Sequence, residues 1–240
     1  MANKRTGFPT GDSERLRLHV EALFIHDQDG RLVCVNEPAR RPAPRFYLGY
    51  AAAGVVMRFR LDLEEGLVQA LHALCSEVVP DENGRIPTHV SAKVQSQLAE
   101  AAPIERRWSG PAYRFSRIPV EQSEAIIVGE ASADLLRPYL DEWLDDVTQS
   151  QPLVALVQDG HAVSFCCSGR RTSHAHEAAD ETAAGFRGRG YGAQVVSRWA
   201  QAVSDAGRVP LHSTSWENVA SRALAGKLGL MCYGSDLHFA

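Results

Sequence analysis

The sequence predicts a mixed α/β protein, and three observations lead to that fold class. Asp-Gly turns at residues 29–30 and 159–160 each separate two short apolar runs, a pattern typical of β-hairpins. Residues 63–79 place apolar side chains at helical spacing, which indicates an amphipathic helix. In the last third of the chain, strand and helix patterns alternate, as they do in proteins with a mixed sheet covered by helices.

Residues 1–107 predict a smaller α+β region whose role the sequence does not indicate. In chain order, the expected elements are a frayed start to about residue 13, a short helix from Ser13, a hairpin over 22–36, a strand pair turned near Ala53-Gly54, and helices over 63–79 and 91–101.

Residues 108–240 predict a second domain, with a loose boundary at 105–110. The expected elements are a strand over 111–118, a helix over 131–147, a hairpin over 152–168, a strand over 175–184, a glycine-rich turn, helices over 191–206 and 219–227 on either side of a strand over 209–214, and a final strand.

Composition narrows the class of protein. The 240 residues carry 25 Lys and Arg against 29 Asp and Glu, a net charge of −4, which argues against general binding to nucleic acid. No secretory signal and no apolar run of membrane-spanning length is present. The five cysteines form no Cys-x-x-Cys pair, and an odd number of thiols favours a reduced, cytoplasmic protein.

The most informative stretch is the glycine-rich sequence GFRGRGYG at residues 185–192, between a predicted strand and a predicted helix. Glycines let the backbone approach a ligand closely, and the N–H groups at a helix N-terminus attract anions. Arg187 and Arg189 add planar donors that suit phosphate oxygens. The stretch therefore predicts a phosphate-binding loop.

Two common phosphate-binding loops are excluded by spacing. A P-loop requires Gly-Lys followed by Ser or Thr, but Gly226-Lys227 precedes Leu228. The dinucleotide fingerprint requires G-x-G-x-x-G in an early βαβ unit, whereas Gly188, Gly190 and Gly192 have a different spacing near the C-terminus.

Two motifs in this region resemble those of the GNAT superfamily of N-acetyltransferases. Residues 187–192 match its pyrophosphate loop [RQ]-x-x-G-x-[GA], and residues 218–230 match its N-x(10)-G-[FL] helix. The resemblance covers residues 108–240 and implies a GNAT-like fold with a splayed central mixed sheet. It implies that acetyl-CoA is the co-substrate and is bound by Thr182, Ala183, Arg187, Gly188, Arg189, Gly190, Tyr191, Gly192 and Asn218.

The same resemblance implies direct attack of an amine on the thioester, assisted by a general base. Glu181 and Glu177 are the candidates for that base, and they lie on one side of the predicted strand because strand side chains alternate; Asp180 points the other way. The family's usual proton donor, a tyrosine, is replaced by Ala225, and Tyr233 is the nearest alternative.

Other clusters receive plainer interpretations. His174 and His176 lie on one side of the predicted strand, beside Glu177, and resemble part of a zinc site. No third ligand follows at a suitable spacing, so no metal is expected. Asp27-x-Asp29-Gly30 is a hairpin turn rather than a calcium loop. Arg170 and Arg171 are either a solvated loop or a contact to the 3′-phosphate of the cofactor.

The sequence thus favours an acyl-CoA-dependent N-acyltransferase, most readily an acetyltransferase, that acts on the primary amine of a small molecule. The alternative is a non-catalytic acyl-CoA-binding sensor or interaction module, suggested by Ala225 and by the unassigned first half. The expected partners are a small-molecule amine, without nucleic acid or membrane, and the expected assembly is a monomer or homodimer.

Overall fold

The structure is a computed structural model that describes residues 11–118 and 123–240. Its elements in chain order are α1 (Asp12–Leu23), β1 (Phe24–His26), β2 (Leu32–Val35), β3 (Phe46–Ala51), β4 (Gly54–Phe59), α2 (Glu65–Cys75), α3 (Thr88–Ala101), β5 (Arg107–Arg114), β6 (Ile126–Ile127), β7 (Leu153–Gln158), β8 (His161–Arg171), β9 (Ala175–Thr182), α4 (Tyr191–Asp205), β10 (Val209–Ser213), α5 (Val219–Lys227) and β11 (Met231–Phe239). Short 3-10 helices span Glu130–Leu136, Asp141–Asp146 and Ala184–Phe186.

The chain forms two compact units, and each is described by itself. The N-terminal unit contains the described residues up to Arg114 together with Ser213–Val219 and Cys232–Ala240. The C-terminal unit contains Phe115–His212 and Ala220–Met231. The domain boundary expected at 107/108 stays a prediction.

The N-terminal unit is built around a sheet of order β4-β3-β11-β5, with β1 and β2 paired as a separate hairpin. Strand β3 is buried on both faces because its side chains alternate between two cores. Tyr47 packs with the apolar side of α1, while Phe46 and Leu48 pack with α2 and α3.

The C-terminal unit is built around a sheet of order β10-β9-β8-β7-β6. Neighbours are antiparallel except β9 and β10, which run parallel. Helix α4 buries Val195, Trp199 and Val203 against one face, where side chains of α5 also pack, because residues four apart share one side of a helix. The 3-10 helices over 130–146 cover the opposite face.

The predicted mixed α+β class is confirmed, as are both Asp-Gly hairpins. At the second hairpin Asp159 and Gly160 have φ of 51° and 81°, the two positive values that a type I′ turn requires. The strand expected over 111–118 is shifted toward the N-terminus and spans Arg107–Arg114.

The predicted helix over 131–147 is wrong. Two 3-10 helices occupy this stretch, separated at Pro138. Arg137, the residue before the proline, has φ of −76° and ψ of 149°, which is extended backbone. Proline lacks an N–H and disfavours the α conformation at the preceding residue, so a continuous helix cannot pass this point without a break.

Two findings bear on the class of protein. Within residues 11–118 and 123–240, no helix has the length and apolar character needed to cross a membrane. All five cysteines are unpaired thiols, and burial raises the pKa of Cys75 and Cys167 to about 12, so these two pack as apolar side chains rather than as nucleophiles.

Candidate active site

Strands β9 and β10 stop pairing partway along β9. They pair only from Ala175 opposite Val209 to Glu177 opposite Leu211. On its other side, β9 stays paired with β8 as far as Thr182 opposite Ser164. The backbone of residues 178–182 therefore pairs with β8 on one edge and no longer pairs with β10 on the other. This separation corresponds to the splay that the family resemblance implies.

The glycine-rich loop begins where β9 ends. The N–H of Ala183 donates to the carbonyl of Val163 at 3.0 Å, and a single 3-10 turn then leads into the loop. Gly188 and Gly190 have φ of 77° and 84°, with an ordinary φ at Arg189 between them. Such alternation turns successive N–H groups toward one point, and a concavity of this kind binds anions.

The loop leads directly into α4, and Gly190 is the N-cap residue of that helix. Tyr191 is the first helical residue and is half-buried beside the α4 core, and Gly192 follows it. A Cβ on Gly192 would lie 3.6 Å from Leu224 and 3.7 Å from the hydroxyl of Thr182, so the α4 backbone approaches both β9 and α5 closely. The first N–H groups of α4 thus lie beside the end of β9.

Three cations surround the loop. The Nε of Arg187 donates to the carbonyl of Thr182 at 2.9 Å, and an Nη of Arg189 donates to the carbonyl of Gly185 at 3.2 Å. The guanidinium of Arg189 also lies over the ring of Phe186, 5.3 Å from its centroid. Both arginines therefore brace the loop in addition to carrying positive charge.

The third cation, Lys227, was not predicted. A Cβ on Gly190 would lie 2.9 Å from Nζ of Lys227, so the ammonium group stands beside the N-cap of α4. Lys227 is the last residue of α5 and lies far from the loop in the sequence. No spacing rule for the loop could have identified it, because the contact arises from packing of α5 beside α4.

The second motif has a structural explanation at its glycine. Gly229 has φ of 64°, its N–H donates to the carbonyl of Gly226, and the N–H of Leu230 donates to the carbonyl of Ala225. This is a Schellman motif that ends α5. Asn218 lies in the turn before α5, where its N–H donates to the carbonyl and hydroxyl oxygens of Ser215.

The two candidate bases lie on the same side of β9 but in different settings. Glu177 is the last β9 residue paired with β10, and it is only 4% exposed. Glu181 lies beyond the splay and is half-buried, and its Oε2 accepts a hydrogen bond of 3.2 Å from Nε1 of Trp143. Of the two, Glu181 is the more open to a molecule that enters between the strands.

The splay also brings together a pair that the sequence did not reveal. Nε2 of His212, on β10, lies 3.8 Å from Oδ1 of Asp180 on β9. The imidazole is buried, whereas the Asp180 carboxylate is 20% exposed. The sequence places Asp180 on the face of β9 opposite the two glutamates, and no motif includes His212.

Tyr233 and Ala225, which the sequence also singled out, are both buried residues outside the loop. Tyr233 is 5% exposed and belongs to the apolar core of the N-terminal unit. Ala225 is fully buried on α5. In the described part of the chain, no three His, Cys, Asp or Glu residues are arranged to hold a metal ion.

His176 has a structural role. Its Nδ1 lies 2.8 Å from the hydroxyl of Ser168, which also accepts a hydrogen bond from Nε1 of Trp199 at 3.1 Å. The ring also bonds to the backbone of Thr172. Burial, and then the charges of Arg208 and Arg171, lower the pKa of His176 to about 4, so the ring is neutral near neutral pH.

Comparison with known proteins gives similarity of fold. No family model and no curated protein matches the sequence. Among solved structures, a GCN5-related N-acetyltransferase-like protein from Streptococcus suis is 16% identical over 96% of this chain and 100% of its own, with a TM-score of 0.46. A GCN5-related N-acetyltransferase from Kribbella flavida is 12% identical over 96% of both chains, with a TM-score of 0.44.

A further solved structure, an acetyltransferase from the GNAT family of Colwellia psychrerythraea, is 12% identical over 80% of both chains, with a TM-score of 0.45. These TM-scores are below 0.5 and the identities are low, so the similarities do not establish the GNAT-like fold expected from the two sequence motifs, which stays a prediction. They carry no information on activity or substrate.

Proposed function

We propose that the chain is an acyl-CoA-dependent N-acyltransferase that transfers acetyl from acetyl-CoA to the primary amine of a small molecule. The observation that carries the proposal is the meeting of two features at one end of β9. The anion-binding loop follows β9 after a single 3-10 turn, and the splayed edge of β9 leads up to it. A diphosphate with a long polar arm fits such a site.

The loop supplies the groups that a diphosphate requires. The N–H groups of residues 188–192 and the positive end of the α4 dipole favour negative charge. Arg187, Arg189 and Lys227 add three cations. The pantetheine arm, with its two amides, would extend along residues 181–183 as an added strand, a mode of recognition that uses main-chain hydrogen bonds.

The reaction requires the protein to position the amine against the thioester and to supply a base. The amine nitrogen attacks the thioester carbonyl, the C–N bond forms, the C–S bond breaks, and the amine proton passes to a carboxylate, directly or through water. Glu181 is our first choice for this base and Glu177 the second. Alanine stands at 225 and Tyr233 is buried in the apolar core of the N-terminal unit, so the leaving thiolate takes its proton from solvent. Thiolates leave readily because thiols are acidic.

The proposal also covers the acceptor, the location and the assembly of the enzyme. The acceptor is a small-molecule amine rather than a nucleic acid or a membrane, the enzyme uses no metal, and it acts in the cytoplasm as a monomer or homodimer. The net charge of −4 supports the absence of a polyanionic partner.

Turnover tests the proposal directly. The purified chain is incubated with acetyl-CoA and a panel of primary amines, and release of the free CoA thiol is followed. In parallel, melting with acetyl-CoA measures binding, since a ligand at about 100 times its Kd stabilises the native state by about 2.7 kcal/mol.

The two measurements separate the proposal from its alternative. Binding together with amine-dependent thiol release supports the enzyme. Binding without release across the panel supports the sensor, for which alanine at 225 is the favouring observation. The absence of binding contradicts both.

A further inference from the structure

The N-terminal unit contains a pocket that shares no residue with the proposed transferase site. Its volume is about 470 Å³. Small organic ligands occupy cavities of ~300 to 1,000 Å³, so the pocket is large enough for one. Its lining comes from the residues beside β3 and β4, from the start of α2 and from the end of α3, all within this unit.

The two arginines of this pocket are bonded to protein acceptors. Arg60 donates to both carboxylate oxygens of Asp62, at 2.7 Å and 2.9 Å, which balances the two charges. Arg45 is only 6% exposed and donates to three carbonyls at the C-terminal end of α3, among them that of Leu98 at 3.0 Å. That end of a helix carries the negative pole of its dipole. The guanidiniums therefore do not provide an open site for an anionic ligand.

Two carboxylates of the pocket are not paired in this way. Glu64 precedes α2 and Glu100 lies in the last turn of α3, and both residues are exposed. Neither forms an ion pair within residues 11–118 and 123–240. The lining contains two basic and three acidic residues, so its net charge is negative. A positively charged ligand thus suits the pocket better than an anion.

The pocket also contains a hydrogen-bond acceptor without a donor. Oε1 of Gln97 is buried and accepts no hydrogen bond from the part of the chain that the structure describes. A buried acceptor without a partner is destabilising, and a ligand that donates to it removes that cost. Glu100 follows Gln97 by three residues and lies on the same side of α3. A donor group of the ligand at Gln97 would therefore lie near a carboxylate.

The remaining part of the lining is apolar. Leu63 and Leu67 are partly buried and pack against the core that α2 and α3 form with the sheet. Ala101 adds a small apolar side chain from α3. The pocket therefore has room for an apolar body beside its polar groups.

We infer that this pocket binds a small organic primary amine. The ammonium group donates to Oε1 of Gln97 beside the carboxylates of Glu64 and Glu100. The apolar part of the amine packs against Leu63 and Leu67. A primary ammonium has three N–H donors and no acceptor, so it can satisfy the amide oxygen and the carboxylates together.

The inference does not rest on the proposed transferase activity, because every lining residue belongs to the N-terminal unit. Its test measures binding without acetyl-CoA, so the result does not depend on turnover. An amine site would give the first half of the chain a role that the sequence does not indicate.

Calorimetry with 2-phenylethylamine tests the inference on the full chain. The amine is titrated into the wild type, into Gln97→Met and into the double variant Glu64→Gln/Glu100→Gln. We expect Gln97→Met to lose roughly ten- to a hundredfold in affinity, because it removes a hydrogen bond to a charged donor. The double variant should lose about two- to thirtyfold, since exposed charges contribute less.

The Gln97 substitution separates binding from folding. Methionine has a similar length and replaces an unpaired buried polar group with an apolar one, so the variant should be at least as stable as the wild type. Melting curves verify that each variant is folded.

Two control variants and a second probe identify the site and the ligand class. Glu21→Gln removes the same charge from an exposed position of α1, and Glu181→Gln alters the proposed transferase site; we expect neither to change the affinity for 2-phenylethylamine. The second probe, 2-phenylethanol, has the same body without the charge, and we expect it to bind at least about tenfold more weakly.

Three results would overturn the inference. They are no binding of 2-phenylethylamine by the wild type at about ten millimolar, wild-type affinity in either folded pocket variant, or loss of affinity in Glu181→Gln alone. Equal binding of 2-phenylethanol would overturn the choice of a charged amine.

Discussion

Gly190 has φ of 84° at the start of α4, and a side chain there would point toward Nζ of Lys227. We predict that Gly190→Asp abolishes acetyl-CoA binding, because it sets a carboxylate where the diphosphate must meet backbone N–H groups. Strain from the positive φ costs about 1 kcal/mol, and the Lys227 ammonium accommodates the new charge, so the chain should stay folded. Calorimetry and melting measure the two effects separately.

A matched control exists in the other unit. Gly66 lies in α2, where a Cβ would meet open space, so Gly66→Asp adds the same group without blocking the loop. We expect it to bind acetyl-CoA as the wild type does. Micromolar binding by Gly190→Asp would remove the loop from the cofactor site.

Glu181 is the residue on which the proposed proton transfer rests. We predict that Glu181→Gln leaves acetyl-CoA affinity nearly unchanged and lowers turnover by ~10² to 10⁴ at neutral pH, the usual contribution of a general base. The defect should shrink as pH rises, because more of the amine is then neutral in solution. The hydrogen bond from Trp143 can be kept by the amide oxygen, so stability should change little.

Glu177→Gln is the comparison for that variant. If it shows the pH-dependent loss while Glu181→Gln is fully active, the base lies four residues upstream. A uniform loss of activity across pH, together with a lower melting temperature, would instead indicate a structural role for the carboxylate. If neither variant is impaired, neither glutamate is the base.

At this scale the sequence identified residues within motifs and missed residues that meet through packing. The loop glycines and arginines follow one another in the chain, so their spacing carries the prediction. Lys227 and His212 enter their sites from α5 and β10, and each side chain reaches its neighbour only because the strands and helices pack as they do. No local pattern encodes such a meeting.

Elements were predictable where a local pattern and the tertiary structure agree. Helices α4 and α5 and the hairpin at Asp159-Gly160 follow their periodicity and turn residues closely. The stretch at 131–147 has apolar residues at helical spacing, but Pro138 divides it. Backbone sterics at the proline outweigh the side-chain pattern there, which explains the wrong prediction.

Three elements, β8, β9 and α4, are joined by the hydroxyl of Ser168. It accepts the indole N–H of Trp199 and bonds to Nδ1 of His176, and all three residues are buried. We predict that Ser168→Ala lowers the free energy of unfolding by ~2 to 4 kcal/mol, since leaving two buried polar groups unpaired costs about 1 to 3 kcal/mol each with partial relaxation. Denaturant unfolding monitored by fluorescence measures this loss.

Ser197 provides the control within α4. Its hydroxyl is buried and has no hydrogen-bond partner among the described residues. Ser197→Ala should therefore be neutral or slightly stabilising, since it removes an unsatisfied polar group and improves helix propensity. Equal destabilisation by the two substitutions would mean that the Ser168 network contributes nothing beyond packing.

At the scale of the whole chain, distant pairing was beyond the sequence patterns. Strand β11 lies against β3, with Phe239 opposite Phe46, almost the full length of the chain apart. Apolar runs predict that strands exist, but their partners depend on burial of matching faces, which a single sequence does not specify. The final strand was therefore predicted, while its place in the N-terminal unit was not.

The free energy of unfolding should depend on pH in a way that shows that His176 is neutral in the folded chain. Its pKa is about 4 in the folded chain and 6.5 by reference for the unfolded chain, so the unfolded state binds a proton more readily between these values. The resulting stability is fully present above pH 6.5 and is lost as pH falls toward 4, with a slope of at most ~1.4 kcal/mol per pH unit. His176→Gln should lack this component, so its free energy of unfolding, measured with denaturant at several pH values, should fall less steeply over that window. If His176→Gln has the wild-type slope, the ring takes up its proton equally in both states, and its buried setting does not oppose the charge.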